Sequence, residues 1–207
     1  MPQRDASYEN ADHQRSCEDV QVMSTPLAKL QVMVGDHFAC VKVSGRANFT
    51  SSVDFKTVLT ELKRKGYPYV VVELSECALM DSTFLGVLAE FGLKALPLEG
   101  DCEKNAIELR NANERLIELL ENLGVLHLFK TAQGTVSAVG AIETSSPSPC
   151  NPSREELTRA SLEAHRVLMD INPENVARFK DVTKFLAEDL QKLQEKQPTS
   201  IPSEPLK

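Results

Sequence analysis

Apolar and polar positions follow short strand-like and longer helix-like periods in turn between residues 27 and 130. Strands are predicted where short apolar runs are bounded by polar or turn-forming residues. The valines of "YPYVVVEL" do not alternate with polar residues, which indicates a central strand buried on both faces. "GDH" predicts a β-hairpin turn between the first two strands. The predicted strands are "LQVMV", "FACVKV", "YPYVVVEL", "NAIEL" and "VLHLF", the last being either an edge strand or a docking segment.

Three helices are predicted between these strands, because apolar residues recur on one face of each and suitable residues stand at their ends. "SGRANFT" is predicted to be the loop that leads into the first helix. The first helix, "SSVDFKTVLTELKRKG", is predicted to start at Ser51 or Ser52 and to end at Gly66. The second is predicted to run from Ser82 to about Leu96, before Pro97. The third, "ERLIELLENLG", is predicted to be capped by Asn113 and to end at Gly124. Strands that alternate with helices predict an α/β domain, a sheet with helices packed on it, over residues 27–131.

The rest of the chain is predicted to be two tails, a linker and a helical hairpin. Residues 1–26 and 197–207 lack apolar periodicity and are predicted to be flexible tails. Residues 132–152 are rich in Ser, Pro and Gly, which is typical of a linker. Residues 153–196 contain two amphipathic stretches joined by a short turn, which predicts an antiparallel hairpin of two helices.

Both helices of this hairpin have a start signal and an apolar face. Ser153 and Glu156 form a capping box, and Asn172 is predicted to cap the second helix with Pro173 at its first position. The apolar faces are Leu157, Ala160, Ala164, Val167, Leu168 and Ile171, then Val176, Phe179, Val182, Leu186, Leu190 and Leu193. So small a hairpin cannot bury both faces by itself. It must therefore dock on the first domain, on a second copy of the chain by self-association, or on another protein.

Composition and charge exclude several functions. The 207 residues carry a net charge of −7, so no bulk attraction to nucleic acid or to an anionic membrane is expected. No apolar run approaches the length of a membrane span, and the polar N-terminus lacks the apolar core of a signal peptide. These observations favour a cytoplasmic location.

The cysteines and histidines are too dispersed to predict a metal site, and no cofactor is expected. Five cysteines are present without a CxxC pair, which indicates reduced thiols rather than a zinc site or a disulfide framework. Cys40 and Cys77 lie in apolar surroundings and are predicted to be buried. The dispersed residues are Cys17, Cys40, Cys77, Cys102, Cys150, His13, His37, His127 and His165.

No motif predicts an enzyme, and no catalytic residue is assigned. The phosphate-binding loop G-x-x-x-x-G-K-[ST], the dinucleotide fingerprint G-x-G-x-x-G and the zinc motif H-E-x-x-H do not occur. "MDSTF" lacks the second Asp of a D-x-D-x-T phosphotransferase motif. Ser82 lacks the G-x-S-x-G elbow, and no histidine is placed by sequence to activate it.

The stretch "LMDSTFLGVLAEF" carries Asp81, Ser82 and Thr83 where the second helix begins. In one interpretation Ser82 only caps the helix, and Asp81 favours the positive end of the helix dipole. In the other, the hydroxyl of Ser82 is a regulatory target. The N–H groups at a helix start can hold an anion, and a phosphate would add a charge of about −1.5 to −2 without unfolding the domain.

"VVVELSECALMDSTFLGVLAEFGLKA" resembles the signature of STAS domains, the anti-sigma factor antagonists of bacteria. The segment Asp81–Gly86 is similar to the family's D-S-[ST]-G-L-G, and "ELRNANERLIELLENLGVLHLF" is similar to its V-x-R-x-L-x-x-x-G-L-x-x-x-F segment. The resemblance covers residues 28–130. It implies a STAS-like α/β sheet with helices packed on it, here followed by the C-terminal helical hairpin.

The resemblance also implies a function. In this family the first hydroxyl after the Asp is phosphorylated by a partner that is both an anti-sigma factor and a serine protein kinase of the ATPase type. The unphosphorylated form binds this partner, the phosphorylated form does not, and a PP2C-type phosphatase resets the switch. By position, Ser82 would be the acceptor, Thr83 the neighbouring hydroxyl, and Asp81 the carboxylate that positions the kinase contact.

Two positions depart from the family pattern. Phe84 replaces a frequent Gly, and either packs inward or is an exposed anchor for a partner. Asn48 stands near a position that is often Asp, which keeps hydrogen bonding but not charge. The predicted partner-binding residues are Asn48, Phe49, Thr50, Asp81, Ser82, Thr83 and Phe84. The alternative function is a constitutive STAS-type scaffold or adaptor in which Ser82 is only a helix cap.

Overall fold

The computed structural model describes residues 28–35, 38–95, 106–135, 143–146 and 151–195. The predicted N-terminal and C-terminal tails, and the predicted end of the second helix at Leu96 and Pro97, lie outside the described residues. The strands are β1 Lys29–Val34, β2 Phe38–Ala47, β3 Tyr69–Glu73, β4 Cys77–Met80, β5 Ala106–Arg110, β6 Lys130–Ala132 and β7 Glu143–Ser145. The α-helices are α1 Phe49–Arg64, α2 Ser82–Ala95, α3 Glu114–Asn122, α4 Arg154–Ile171 and α5 Glu174–Glu195.

The strands form one mixed sheet in the order β6-β5-β3-β2-β1-β7, and β4 pairs with the end of β2. Strand β1 is antiparallel to β2 and to β7, so the predicted hairpin of the first two strands is confirmed. Strands β2, β3, β5 and β6 run parallel to one another, and helices connect β2 to β3 and β5 to β6. The valine-rich strand β3 lies between β2 and β5, which confirms its predicted central place.

The core lies between the sheet and the helices. Alternate residues of the central strands, such as Val41, Val72 and Leu109, are buried against Phe55 of α1 and Leu88 of α2. Val71 of β3 and Cys40 of β2, which alternate with these residues, are buried as well, so the central strands are buried on both faces, as the valine run predicts.

The two cysteines predicted to be buried are buried. Cys40 in β2 and Cys77 in β4 are free thiols with almost no exposed surface. Burial raises the pKa of Cys40 to about 11 and also raises the pKa of Cys77, because a thiolate is poorly solvated inside the domain. Both side chains therefore serve as small apolar packing groups.

The predicted start of the first helix was wrong. Neither Ser51 nor Ser52 caps α1, and "SGRANFT" is not a loop, because pairing with β4 extends β2 as far as Ala47. The helix begins at once, capped by Asn48, whose side chain accepts a hydrogen bond from the N–H of Ser51. The predicted end is confirmed, since Gly66 adopts a left-handed φ of 83°.

The later elements include two strands that the sequence pattern did not predict. Strand β4 is only four residues long, and β7 lies within the predicted linker, where it pairs with β1. "VLHLF" is a docking segment: it forms a 3₁₀ helix, Leu126–Leu128, and the edge strand β6 follows it. The cap of α3 by Asn113 and its end at Gly124, with φ 70°, are confirmed.

Helices α4 and α5 form the predicted antiparallel hairpin, and α4 docks on α1 and α2 of the same chain. An ion pair between Arg154, at the start of α4, and Asp189, late in α5, shows the opposite directions of the two helices. The capping box of Ser153 and Glu156 is confirmed, and the Asn172 side chain accepts a hydrogen bond from the Glu174 N–H. The apolar face of α5 is only partly covered: Val176 and Val182 remain exposed, as does Phe185, at 66%.

None of the helices in the described part of the chain is long and apolar enough to cross a membrane.

Candidate functional site

The candidate site lies where helices α1 and α2 begin side by side. Strands β2 and β4 are parallel neighbours, with Ala47 opposite Met80, so the residues that follow them emerge together. The N–H of Asp81 donates to the Ala47 carbonyl at 2.9 Å and holds the two chain segments at this point. Two helix N-termini, each with unpaired N–H groups and a partial positive charge, therefore meet here.

Asp81 satisfies N–H groups of both helices. Its Oδ1 accepts from the N–H of Phe84 at 2.9 Å, in the first turn of α2, and its Oδ2 accepts from the N–H of Phe49 at 2.7 Å, the first residue of α1. Its carbonyl accepts from Leu85, the first bond of α2. Asp81 is therefore the cap of α2, and the interpretation of Ser82 as the cap was wrong. A carboxylate suits this place because both helix dipoles favour negative charge.

The hydroxyl of Ser82 faces a histidine from the C-terminal hairpin. Its Oγ lies 2.9 Å from Nε2 of His165 in α4, and Nδ1 of the same ring lies 2.7 Å from the carbonyl oxygen of Ser161. A carbonyl oxygen can only accept, so Nδ1 must carry a hydrogen. In the neutral ring Nε2 is then an acceptor, and the Ser82 hydroxyl donates to it.

Burial favours this neutral form of His165. The side chain is 5% exposed and its ring lies against Phe179 of α5, with centroids 4.8 Å apart. Burial lowers the pKa of His165, because the imidazolium is poorly solvated there, although the Ser161 carbonyl and the Asp81 carboxylate act in the opposite direction. The ring is therefore an uncharged hydrogen-bond partner of Ser82 near neutral pH.

Helix α4 approaches α2 closely just beyond Ser82. A Cβ atom added to Gly86 would lie 2.5 Å from the carbonyl oxygen of Ala164, which is shorter than any normal contact. One turn earlier, the hydroxyl of Thr83 donates to that of Ser161 at 3.4 Å. The absence of a side chain at Gly86 thus brings α4 against the backbone of α2 and the hydroxyl of Ser82.

The sequence analysis missed His165 and Ser161 as site residues. Its apolar face for α4 included Ala160 and Ala164, which lie beside them on the same helix and are buried. A polar residue next to a stripe of alanines was a signal for close helix contact, but nothing in the sequence identified Ser82 as the group opposite.

The predicted partner-binding residues separate into exposed and buried groups. Phe49 is 47% exposed, Thr50 is exposed, and Asn48, Asp81 and Ser82 are partly exposed. Thr83 is buried, and Phe84 has no exposed surface because its ring stacks on Phe55, with centroids 4.4 Å apart. Of the two alternatives for Phe84, the structure shows the inward one, and Thr83 lies beneath α4, where its hydroxyl donates to Ser161. Partner binding by the seven residues stays a prediction.

Among the described residues, no group of three or more His, Cys, Asp or Glu side chains is placed to hold a metal ion. Both carboxylate oxygens of Asp81 accept from backbone N–H groups, and the two ring nitrogens of His165 are hydrogen-bonded to Ser82 and Ser161. The site is thus a network of neutral and charge-assisted hydrogen bonds between two helix starts and α4.

This arrangement, a mixed sheet with a hydroxyl at the start of the helix that follows β4, defines a small α/β domain with a helix-terminal site. The family model of the STAS domain matches residues 29–138, just over half of the chain. The chain belongs to the STAS domain family, and the resemblance inferred from its motifs is confirmed.

Solved structures similar to this chain include two of SpoIIAA. The anti-sigma factor antagonist SpoIIAA in its unphosphorylated form is 11% identical, with a TM-score of 0.41 over 52% of this chain and 89% of that chain. The Bacillus cell fate determinant SpoIIAA in the phosphorylated form is 13% identical, with a TM-score of 0.41 over 51% of this chain and 91% of that chain. A comparison with curated proteins found no match.

Proposed function

We propose that this chain is a regulatory protein-binding module, an anti-sigma factor antagonist controlled by phosphorylation of Ser82. Membership of the STAS family supports a role in protein–protein contact rather than in catalysis. The partner is an anti-sigma factor that is also a serine protein kinase of the ATPase type, and a PP2C-type phosphatase restores the free hydroxyl. The chain itself is not an enzyme in this proposal.

The observation that carries the proposal is that α2 does not need the Ser82 hydroxyl. Asp81 caps the helix, and among the described residues the hydrogen-bond partner of the Ser82 Oγ is His165 rather than the backbone of α2. Ser82 is the first residue of α2, where a phosphate would find unpaired N–H groups and the positive end of the dipole. A phosphate at this position is therefore compatible with a folded domain.

Phosphorylation would alter the surface that a partner contacts. The exposed part of that surface is the start of α1, with Phe49 as its apolar anchor, together with Asp81 and Ser82. A dianion beside the Asp81 carboxylate would repel an acidic partner and alter the hydration of this surface. A change of about 1.4 kcal/mol in binding free energy is a tenfold change in affinity, which is sufficient for a switch.

Partner capture from native cell extract tests this function. The baits are the wild-type chain, Ser82→Ala, Ser82→Glu and, as a matched control, Ser75→Glu, which places the same charge on an exposed turn between β3 and β4. Bound proteins are quantified by mass spectrometry, and circular dichroism verifies that each bait is folded. We expect an ATPase-type kinase or anti-sigma factor on every bait except Ser82→Glu.

If all four folded baits retain the same partners, the regulatory function is wrong and a constitutive scaffold or adaptor replaces it. One observation favours that second candidate: α5 presents the apolar side chains Val176, Val182 and Phe185 to solvent. Turnover of a small substrate by the purified chain would overturn both candidates.

A further inference from the structure

Helix α4 lies over the part of the domain in which the proposed switch residue stands. It packs on both α1 and α2, and its residues Ser161, Ala164 and His165 contact the first turns of α2. Ser82 is only partly exposed beneath it. A protein that must reach the Ser82 hydroxyl therefore meets α4 first.

The spacing between the two helices leaves no room for a phosphate. The Oγ of Ser82 and the Nε2 of His165 are one hydrogen bond apart, at 2.9 Å. One turn further along, Gly86 lies against the backbone of Ala164, so a larger group between Ser82 and His165 would have to separate two helices that are in backbone contact. A phosphoryl group on Ser82 would occupy the position of the imidazole ring of His165.

Electrostatics also oppose a phosphate between Ser82 and His165. A phosphate dianion would stand beside the Asp81 carboxylate and opposite His165, which is buried and which burial disfavours as a cation. Burying such a charge without a cationic partner is strongly unfavourable, whereas exposing it to water at the start of α2 satisfies it. Release of α4 removes the conflict.

The hairpin is held on the domain by apolar packing and by a few hydrogen bonds, of which the Ser82–His165 bond is one. Ala164 and Leu168 of the hairpin are part of the buried core of the domain, and Val167, Ile171 and Phe179 pack against that core. Ion pairs of Lys56 with Glu163, at 2.9 Å, and with Glu90, at 3.2 Å, add to the contact between α1, α2 and α4, but they are partly exposed and contribute little. Helix α5 packs mainly on α4, and its side chains Asn175 and Arg178 donate to carbonyls at the end of α3, bonds that release of the hairpin would break.

We propose that the α4–α5 hairpin is a displaceable cover of the Ser82 surface. It is docked while Ser82 carries a free hydroxyl and is expelled when Ser82 is phosphorylated, so α4 and a partner compete for the same surface. The inference rests on the proposed function in taking Ser82 as the phosphorylated residue. It adds that the chain carries its own competitor for the site.

Hydrogen exchange measured by mass spectrometry on the full chain tests the cover without any kinase or partner. The first sample is the wild-type chain, and the second carries phosphoserine incorporated at position 82 during synthesis. Gly86→Ala is a reference for an undocked hairpin, because the new Cβ would clash with Ala164 while alanine favours the helix itself. Gly92→Ala is the matched control in the same helix, since its Cβ would meet Phe129 and not the hairpin.

If the hairpin is released, the amide hydrogens of α4 should exchange more than about tenfold faster in the phosphoserine chain and in Gly86→Ala than in the wild type. The reason is that a free hairpin of this size is marginally stable. The central strands β2 and β3 should keep their protection in all four samples. Unchanged protection of α4 in the phosphoserine chain would contradict the proposal that phosphorylation releases the hairpin. Equal loss of protection in α4 and in the central strands would also overturn it, since the phosphate would then unfold the domain.

Failure of this inference and failure of the proposed function can be distinguished. If no native kinase modifies Ser82 but phosphoserine releases the hairpin, the proposed function fails and the physical coupling stands. If a kinase modifies Ser82 and the hairpin stays docked, the function stands and the cover fails.

Discussion

At the scale of single residues, Asp81 is the side chain that joins the two helix starts of the site. Its two carboxylate oxygens accept from N–H groups of two different helices, so one side chain fixes both the start of α2 and its distance from α1. Sequence reasoning recognised that a negative charge belongs at a helix start but assigned the cap to Ser82. A residue's place at the cap depends on where the preceding strand ends, and the short strand β4 was not predicted.

We expect Asp81→Ala to lower the free energy of unfolding by about 2 kcal/mol, because a helix cap and a second charge-assisted hydrogen bond are lost together. Urea denaturation followed by circular dichroism measures this change. Asp181→Ala is the control: Asp181 is exposed on α5, and its loss should change the free energy by less than about 0.5 kcal/mol. Equal stability of the two variants would show that Asp81 does not hold the helices together.

At the scale of elements, the pairing of α1 with α2 explains why this chain has Phe84 where the family often has Gly. The Phe84 ring is fully buried and stacks on Phe55 of α1, so it joins the two helices that carry the site. The sequence left open whether Phe84 pointed inward or outward, because an aromatic residue in the first turn of a helix can do either. The position of α1 decides it, and that position depends on the sheet.

Phe84→Ala should destabilise the domain by about 3–5 kcal/mol, since it removes a buried aromatic ring and leaves a cavity beside Phe55. Phe49→Ala, at the exposed start of α1, should cost less than about 1 kcal/mol. Both values come from urea unfolding of the full chain. A small effect of Phe84→Ala would contradict its role as a link between the helices.

Helix and strand types were more predictable than their boundaries. The valine run of β3, the capping box of α4 and the left-handed Gly66 are local signals, and the structure bears them out. The start of α1 moved to Phe49 because β2 gained a partner in β4, a contact between segments about thirty residues apart. Local patterns cannot report such pairing, so boundaries near the site were the least predictable part.

At the scale of the whole molecule, the C-terminal hairpin and the STAS domain are joined at the candidate site itself. The sequence showed that the hairpin needed a docking surface and left three surfaces open. The contact of Ser82 with His165 joins residues 83 positions apart, which no periodicity in the sequence reports. The structure thus adds the contact that connects Ser82 to the C-terminal hairpin.

The docked hairpin should lose stability as the pH falls below about 6.5. Burial lowers the pKa of His165 from 6.5, so an undocked or unfolded chain binds a proton more readily than the docked one. By linkage, the contribution of neutral His165 to the free energy of unfolding is complete above pH 6.5. It is lost as the pH falls from 6.5 through the lowered pKa. The Asp81 carboxylate, which faces the ring, reduces this effect without reversing it.

Urea unfolding of the wild type and of His165→Gln between pH 8 and pH 5 measures this dependence, because glutamine does not titrate in that range. The difference in unfolding free energy between the two proteins should shrink as the pH falls. Parallel curves for the two proteins would show that His165 is not held in its neutral form by the docked hairpin.

The most direct test of the central claim is the modification state of Ser82 in the cell. The native chain is purified under several growth conditions with phosphatases inhibited, and the peptide that contains Ser82 is mapped by tandem mass spectrometry. Our account predicts two populations of this peptide, unmodified and phosphorylated on Ser82, whose ratio changes with the conditions. A peptide that is unmodified in every condition, or phosphorylated only on another residue, would contradict the claim that Ser82 is the switch.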